Sequence, residues 1–321
     1  MVRTQGRVVW GLILALLLGA CAAPGARQSL PLDAPAPVEV TGVPFFPQDD
    51  YQCGPAALAT LLAFTGRDIT PEALVPELFV PGRRGSLAVE MAVTARRHGR
   101  LLYPVAGDRA TLLAVLVQGH PVLVLQNNGL GIYPLWHFAV VVAADPERQM
   151  LWLRSGRTSR LALSFAVFER TWARAGHWAA IVLDPAALPE NLDEKTVIRE
   201  LALMEKAGAV REAQAGFARA VIHWPEQRTA WLGLANASLA LGETARAEST
   251  LRELVRRQPQ YGPGLNNLAD LLFKTGRADE ALPYAERAVA VLDIPATRAT
   301  LSAVRAALSA RPAPGPLPPS F

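Results

Sequence analysis

The sequence predicts an α+β domain followed by an all-α repeat solenoid. Three observations carry this. From about residue 40 to 120, apolar segments are bounded by helix signals: Pro55 at a first turn, Thr70-Pro71-Glu72, Ser86 and Asp108. From 121 to 183 they become short runs rich in β-formers, PVLVLQ, HFAVVVAA and WAAIVL. Beyond residue 193, small residues recur every 34 positions. Helices followed by an antiparallel sheet make an α+β layout, and a fixed period of this length marks stacked repeats.

The elements follow in order. Pro55 opens an apolar helix, Ala56 to Phe64, that Gly66 ends. A second helix starts at Thr70-Pro71-Glu72, Ser86 caps a third that ends before Gly99, and Asp108 caps a fourth that ends near Gly119. Strands are predicted over Pro121–Gln126, His137–Ala144, Met150–Ser155, Arg160–Leu163 and Trp178–Leu183, with a helix from Ser164 to Ala175 between the last two. The domain then spans 40–185.

The chain has 321 residues, enough for about two domains. Hydrophobic residues make up 51% and charged residues 19%, a globular composition. A net charge of +4, from 32 basic against 28 interspersed acidic residues, gives no electrostatic footprint for nucleic acid. Two cysteines, Cys21 and Cys53, make neither a disulfide framework nor a Cys-rich zinc site, and the five histidines lack metal spacing. There is no phosphate-binding G-x-x-x-x-G-K-[ST] loop, and no cofactor is expected.

Residues 1–20 read as a targeting segment. Arg3 and Arg7 precede an unbroken apolar run, Val8 to Leu18, too short for the roughly 20 residues of a membrane-spanning helix. Leu18-Gly19-Ala20-Cys21 closes it and resembles the lipobox of bacterial lipoproteins. That resemblance implies that Cys21 becomes an acylated N-terminus and anchors the protein in a bacterial envelope. Ala22, where such lipoproteins carry an inner-membrane retention aspartate, implies the outer membrane, facing the periplasm. Residues 21–39 are rich in Pro and Ala and read as a tether; 311–321, RPAPGPLPPSF, read as an unstructured tail.

Chemistry concentrates at two points. In Gln48-Asp49-Asp50-Tyr51-Gln52-Cys53-Gly54-Pro55, a cysteine stands where a helix begins. The positive end of the helix dipole favours a thiolate, and Gly54 leaves room for a substrate backbone. Far along the chain, Trp136-His137-Phe138-Ala139-Val140 puts a histidine at the start of a buried strand. A cysteine and a histidine that converge in space form a nucleophile–base pair. Together these segments resemble the papain-like peptidases that process double-glycine bacteriocin leaders, over roughly residues 40–183. The resemblance implies a papain-like fold with Cys53 as nucleophile, His137 as general base and Gln48 as oxyanion donor.

One position departs from that family. Its aspartate, early in the strand after the histidine strand, is replaced here by Arg154-Ser155-Gly156. Asp145-Pro146 lies eight residues beyond His137, about 26 Å along an extended strand, and belongs to a turn. A hairpin centred on Pro146 brings Ser155 opposite His137, where its hydroxyl accepts a hydrogen bond from the imidazole. Ser155 is therefore the fourth candidate catalytic residue; the alternative is a plain turn residue.

In the C-terminal third, Gly208, Gly242 and Gly276 fall 34 residues apart, as do Ala213, Ala247 and Ala281, and Leu201, Ala235 and Ala269. Pro225 and Pro259 share the spacing. The pattern resembles the tetratricopeptide repeat: about three units over 193–310, the first the poorest, closed by a helix over 296–310. Such arrays bind peptides or partner proteins in a concave groove, for which Asn236, Asn266, Asn267 and Asp270 are candidates beside a plain solvated reading. The function expected is that of an envelope-anchored cysteine peptidase whose repeats recruit a protein or peptide. The alternatives are a non-catalytic peptide-binding scaffold on a decayed peptidase fold and a thiol-dependent acyl or amide transferase.

Overall fold

A computed structural model describes residues 36–47, 52–78 and 86–310. Cys21, Gln48 and the tail 311–321 lie outside the described residues. The first helix, α1 (Cys53–Phe64), is buried from Gly54 to Leu62, so it is apolar on all sides and forms the centre of the α+β part. Around it stand α2 (Pro71–Leu78), α3 (Ala88–Arg97), α4 (Arg109–Val117) and α5 (Phe165–Ala173). Asp108 caps α4 by accepting from the Thr111 amide at 2.8 Å. Ser86 does not cap α3: Leu87 is the N-cap residue, and the buried Ser86 hydroxyl has no hydrogen-bond partner.

The strands are β1 (Val38–Glu39), β2 (Leu101–Pro104), β3 (Val122–Asn127), β4 (Trp136–Asp145), β5 (Met150–Ser155), β6 (Thr158–Ser164) and β7 (Ala179–Leu183). They form one antiparallel sheet in the order β2-β7-β3-β4-β5-β6, with β1 paired to β4. Two strands correct the sequence reading. Val38 and Glu39, placed in the tether, pair with Ala144 and Ala143. Leu101–Pro104, unassigned from sequence, pairs with β7 at the sheet's edge, where a proline costs no ladder bond.

The register of the β4–β5 hairpin is also corrected. Asp145 pairs with Met150, so the turn centres between Glu147 and Arg148, not on Pro146. An irregularity between Val141 and Ala143 shifts the pairing once more, to Val140 against Arg154.

Seven helices follow: α6 (Glu194–Lys206), α7 (Val210–His223), α8 (Arg228–Ala240), α9 (Thr244–Arg257), α10 (Gly262–Lys274), α11 (Ala278–Val291) and α12 (Pro295–Ser309). The glycine column makes the turns inside successive hairpins. Gly208, Gly242 and Gly276 have φ of +92°, +76° and +80°, which only glycine adopts without strain. Ala213, Ala247 and Ala281 are fully buried where paired helices meet.

From Pro37 the chain forms one compact unit. A single apolar core runs from Val40 through the sheet to Val197, Leu201, Met204 and Phe217 of the first hairpin. Arg96 of α3 meets Glu200 of α6 at 3.0 Å, Arg67 meets Glu212 at 2.7 Å, and the Tyr103 hydroxyl accepts from the Asp193 amide at 2.9 Å. The first hairpin therefore completes the core of the α+β part. The expected separation into a domain ending at 185 and an array beginning at 193 does not hold for its packing. No helix among the described residues is long and apolar enough to cross a membrane.

Candidate functional site

Helix α1 packs against β4. This brings Cys53 close to the backbone of Phe138, the residue after His137. His137 is half-buried at the start of β4, and its Nε2 lies 2.8 Å from the Ser155 hydroxyl. By the observed register, Ala139 rather than His137 falls opposite Ser155. Ser155 reaches the imidazole as a diagonal neighbour on the same face. Ser155 also pairs with Thr158 across the β5–β6 turn. Arg154 faces away, donating to the carbonyls of Val43 and Ser159.

The electrostatics differ from the thiolate expected at a helix N-terminus. Burial pushes the Cys53 thiol above the ordinary cysteine range; the amides of Phe138, Gly54 and Cys53 itself offset only part of this. Burial likewise pushes the His137 imidazole below the ordinary histidine range. Both shifts favour the neutral form, a thiol at Cys53 and an uncharged imidazole at His137. With Nε2 engaged by Ser155, Nδ1 is left to receive a proton.

Gly54 does not serve substrate approach. A Cβ there would fall 2.5 Å from the Ser86 Cβ and closer still to its hydroxyl, so its smallness admits the segment that leads into α3. Gln126, not singled out from sequence, pairs across from His137 and donates to the Thr171 hydroxyl at 2.6 Å. Its only signal in the sequence is a polar residue ending the apolar run PVLVLQ.

Two clefts lie elsewhere. One, of about 610 Å³, is lined by Arg67, Arg97, His98 and Glu212, between the α+β part and the first hairpin. The other, of about 590 Å³, lies among α6, α7 and α8 and is lined by Lys195, Arg199, Glu205, Arg228, Leu232 and Asn236. Burial pushes the Glu205 carboxyl up. Asn236 accepts from Asn267 at 3.3 Å, Asp270 pairs with Lys274 at 2.7 Å, and the buried side-chain Oδ1 of Asn266 has no hydrogen-bond partner among the described residues.

A tetratricopeptide-repeat family model matches residues 205–263, and a second matches 263–291. The C-terminal array is built of tetratricopeptide repeats. Similar solved structures include a crystal structure of MamA, at 14% identity and a TM-score of 0.34, covering 36% of this chain and 69% of that one. The crystal structure of YrrB, a TPR protein with an unusual peptide-binding site, is 21% identical with a TM-score of 0.33, and the match covers 36% of this chain and 60% of YrrB. The first TPR of Spaghetti (RPAP3) bound to the HSP90 peptide SRMEEVD is 19% identical with a TM-score of 0.35, covering 36% of this chain and 94% of that one. No curated protein matches the chain. The matched tetratricopeptide repeats begin at Glu205, in the last turn of α6, the helix that packs on the sheet.

Proposed function

We propose that the protein binds a protein or peptide through its tetratricopeptide repeats and that Cys53 hydrolyses a peptide bond of the bound chain. The repeats support the binding half, since stacked helical hairpins present an extended concave surface. The observation that carries the chemical half is the approach of Cys53 to the backbone of Phe138, next to His137 in the chain, while His137 is held by Ser155. In this reading the fold is papain-like. The Cys53 sulfur attacks the carbonyl carbon as its proton passes to His137. The amine leaves with that proton, and water, deprotonated by His137, resolves the thioester. Gln48 supplies a side-chain donor to the oxyanion.

A second reading, a non-catalytic peptide-binding scaffold, is favoured by the neutral resting state of the pair and by a serine in the place of the family's aspartate. Incubating full-length protein with a fluorescent unfolded substrate such as labelled casein separates the two. Hydrolysis predicts fragments that disappear with Cys53→Ala and after iodoacetamide treatment. Equal fragmentation by wild type and Cys53→Ala, or none by either, leaves the scaffold reading.

We also propose that Cys21 is acylated and holds the protein in a bacterial envelope, at the outer membrane facing the periplasm. The lipobox-like segment supports this. Cys21→Ser should move the protein from the membrane to the soluble fraction, and unchanged fractionation removes the anchor.

A further inference from the structure

Five of the exposed large hydrophobic residues crowd into one short stretch, the β3–β4 connection and the first residue of β4: Leu130, Ile132, Tyr133, Leu135 and Trp136. Ile132 and Tyr133 are 79% and 77% exposed. The other exposed large hydrophobics among the described residues are scattered along the chain from Val89 to Ile294. Single exposed apolar residues are ordinary, whereas a contiguous group marks an interaction site.

The stretch is held in shape. The buried Asn127 accepts through Oδ1 from the amides of Gly129 (3.0 Å) and Leu135 (2.9 Å). Leu130 and Tyr133 exchange backbone hydrogen bonds across the tip at 3.1 and 3.2 Å. Arg174, the residue that ends α5, donates to the Asn127 backbone carbonyl at 3.0 and 2.8 Å. Gly129 is required, since a Cβ there would fall 2.8 Å from the Leu135 nitrogen and closer still to the Tyr133 carbonyl. The local bonding thus fixes a tip whose apolar side chains remain in water.

The tip is continuous with the candidate site, because Trp136 directly precedes His137. From His137 to Ile132 is five residues, at most about 17 Å of extended chain, which four or five residues of a bound peptide also span. We infer that this tip binds bulky apolar side chains of the peptide that reaches Cys53. The substrate class is then an extended peptide carrying such residues a few positions from the attacked bond. This rests on the peptide-binding reading above. Residues 128–136 contain no lysine or arginine, so the tip lacks the basic residues that would meet anionic lipid headgroups.

The test uses fluorescein-labelled dodecapeptides on one Gly/Ser/Asp background, carrying either a Leu-Phe pair or a Ser-Ser pair. Polarisation measures their binding to full-length protein bearing Cys53→Ala, with and without Ile132→Ser and Tyr133→Ser. The apolar peptides should bind at least about tenfold tighter, and the double substitution should reduce that preference to about twofold or less. Ile132→Leu with Tyr133→Phe should retain it. In the wild-type background, Ile132→Ser with Tyr133→Ser should leave Cys53 alkylation by iodoacetamide unchanged, which shows that the site is intact. No apolar preference, or one that survives the double substitution, overturns the inference. So does a double substitution that instead abolishes co-sedimentation with phosphatidylglycerol vesicles or abolishes self-association, because the tip then meets a bilayer or a second copy. Tip-dependent binding without cleavage leaves this inference standing and removes hydrolysis; cleavage without apolar preference does the reverse.

Discussion

At the scale of single residues, the site turns on the balance between burial and hydrogen bonding at Cys53 and His137. Burial disfavours both the thiolate and the imidazolium, and the Ser155 hydroxyl, though it orients the ring, supplies no negative charge to offset that. The rate of Cys53 alkylation by iodoacetamide should therefore rise with a midpoint above about 8.5, the value of a free cysteine. Ser155→Asp places a carboxylate against Nε2 and should lower that midpoint by about one pH unit, while Ser155→Ala should leave it high. A wild-type midpoint below the free-cysteine value, or no response to Ser155→Asp, would refute this account. The same burial links His137 to stability. Its folded pKa lies below the unfolded one, so between them the unfolded chain binds more protons. Stability is full above about pH 6.5 and falls as pH drops towards the depressed folded value. His137→Gln should flatten that part of the acid-denaturation curve. The pairing of Ser155 with His137 was legible because side chains in a strand alternate. The inferred register was off by two residues, which preserves the face, whereas an error of one would have brought Arg154. The thiol's charge state was not legible, because it depends on how deeply β4 and α3 bury the start of α1.

At the scale of elements, what could be read was what has a local cause. Periodic apolar runs gave the helices and most strands, and Asp108 and Ser164 cap their helices as side-chain acceptors. What could not be read owes its form to neighbours. A two-residue β1 has no period to detect, and β2 ends in a proline that only an edge position tolerates. Ser86 looks like a cap in sequence, but α3 takes its first turn from Leu87 and packs Ser86 against Gly54. The join between α3 and α6 is another tertiary product. Arg96 and Glu200 form an ion pair with side-chain exposures of only 14% and 9%. Removing one partner strands a buried charge. We expect Glu200→Ala to destabilise by about 3 kcal/mol, read as a lowered urea midpoint. The double change Arg96→Met with Glu200→Leu should recover most of that loss. If Glu200→Ala melts as wild type does, the pair is solvated in solution and the join rests on apolar contacts alone.

At the scale of the molecule, the repeats are joined to the α+β part through a shared interior. The period of 34 residues invites a cut at the linker, but periodicity reports only how repeats resemble one another, not what the first of them covers. Here Val197, Leu201, Met204 and Phe217 lie in the same core as Leu101, Leu102 and Leu188. Fully burying a large apolar side chain is worth about 1.5–3 kcal/mol. Uncovering even three such residues on the sheet side costs roughly 5–9 kcal/mol, comparable with the about 5–15 kcal/mol that holds an ordinary domain together. Loss of the Arg67–Glu212 and Arg96–Glu200 pairs adds to it. A chain ended at Pro185 should therefore lose cooperative thermal unfolding, and Cys53 in it should alkylate as an unprotected thiol. A chain ended at Gln258 keeps α6 to α9, and with them Ala230 and Leu234, the last residues of that core. It should melt cooperatively and keep the Cys53 alkylation profile of the full chain while losing α10 to α12. If the chain ended at Pro185 instead melts cooperatively with an unchanged profile, the first hairpin is a lid over an independent domain, and the repeats can move without disturbing the site.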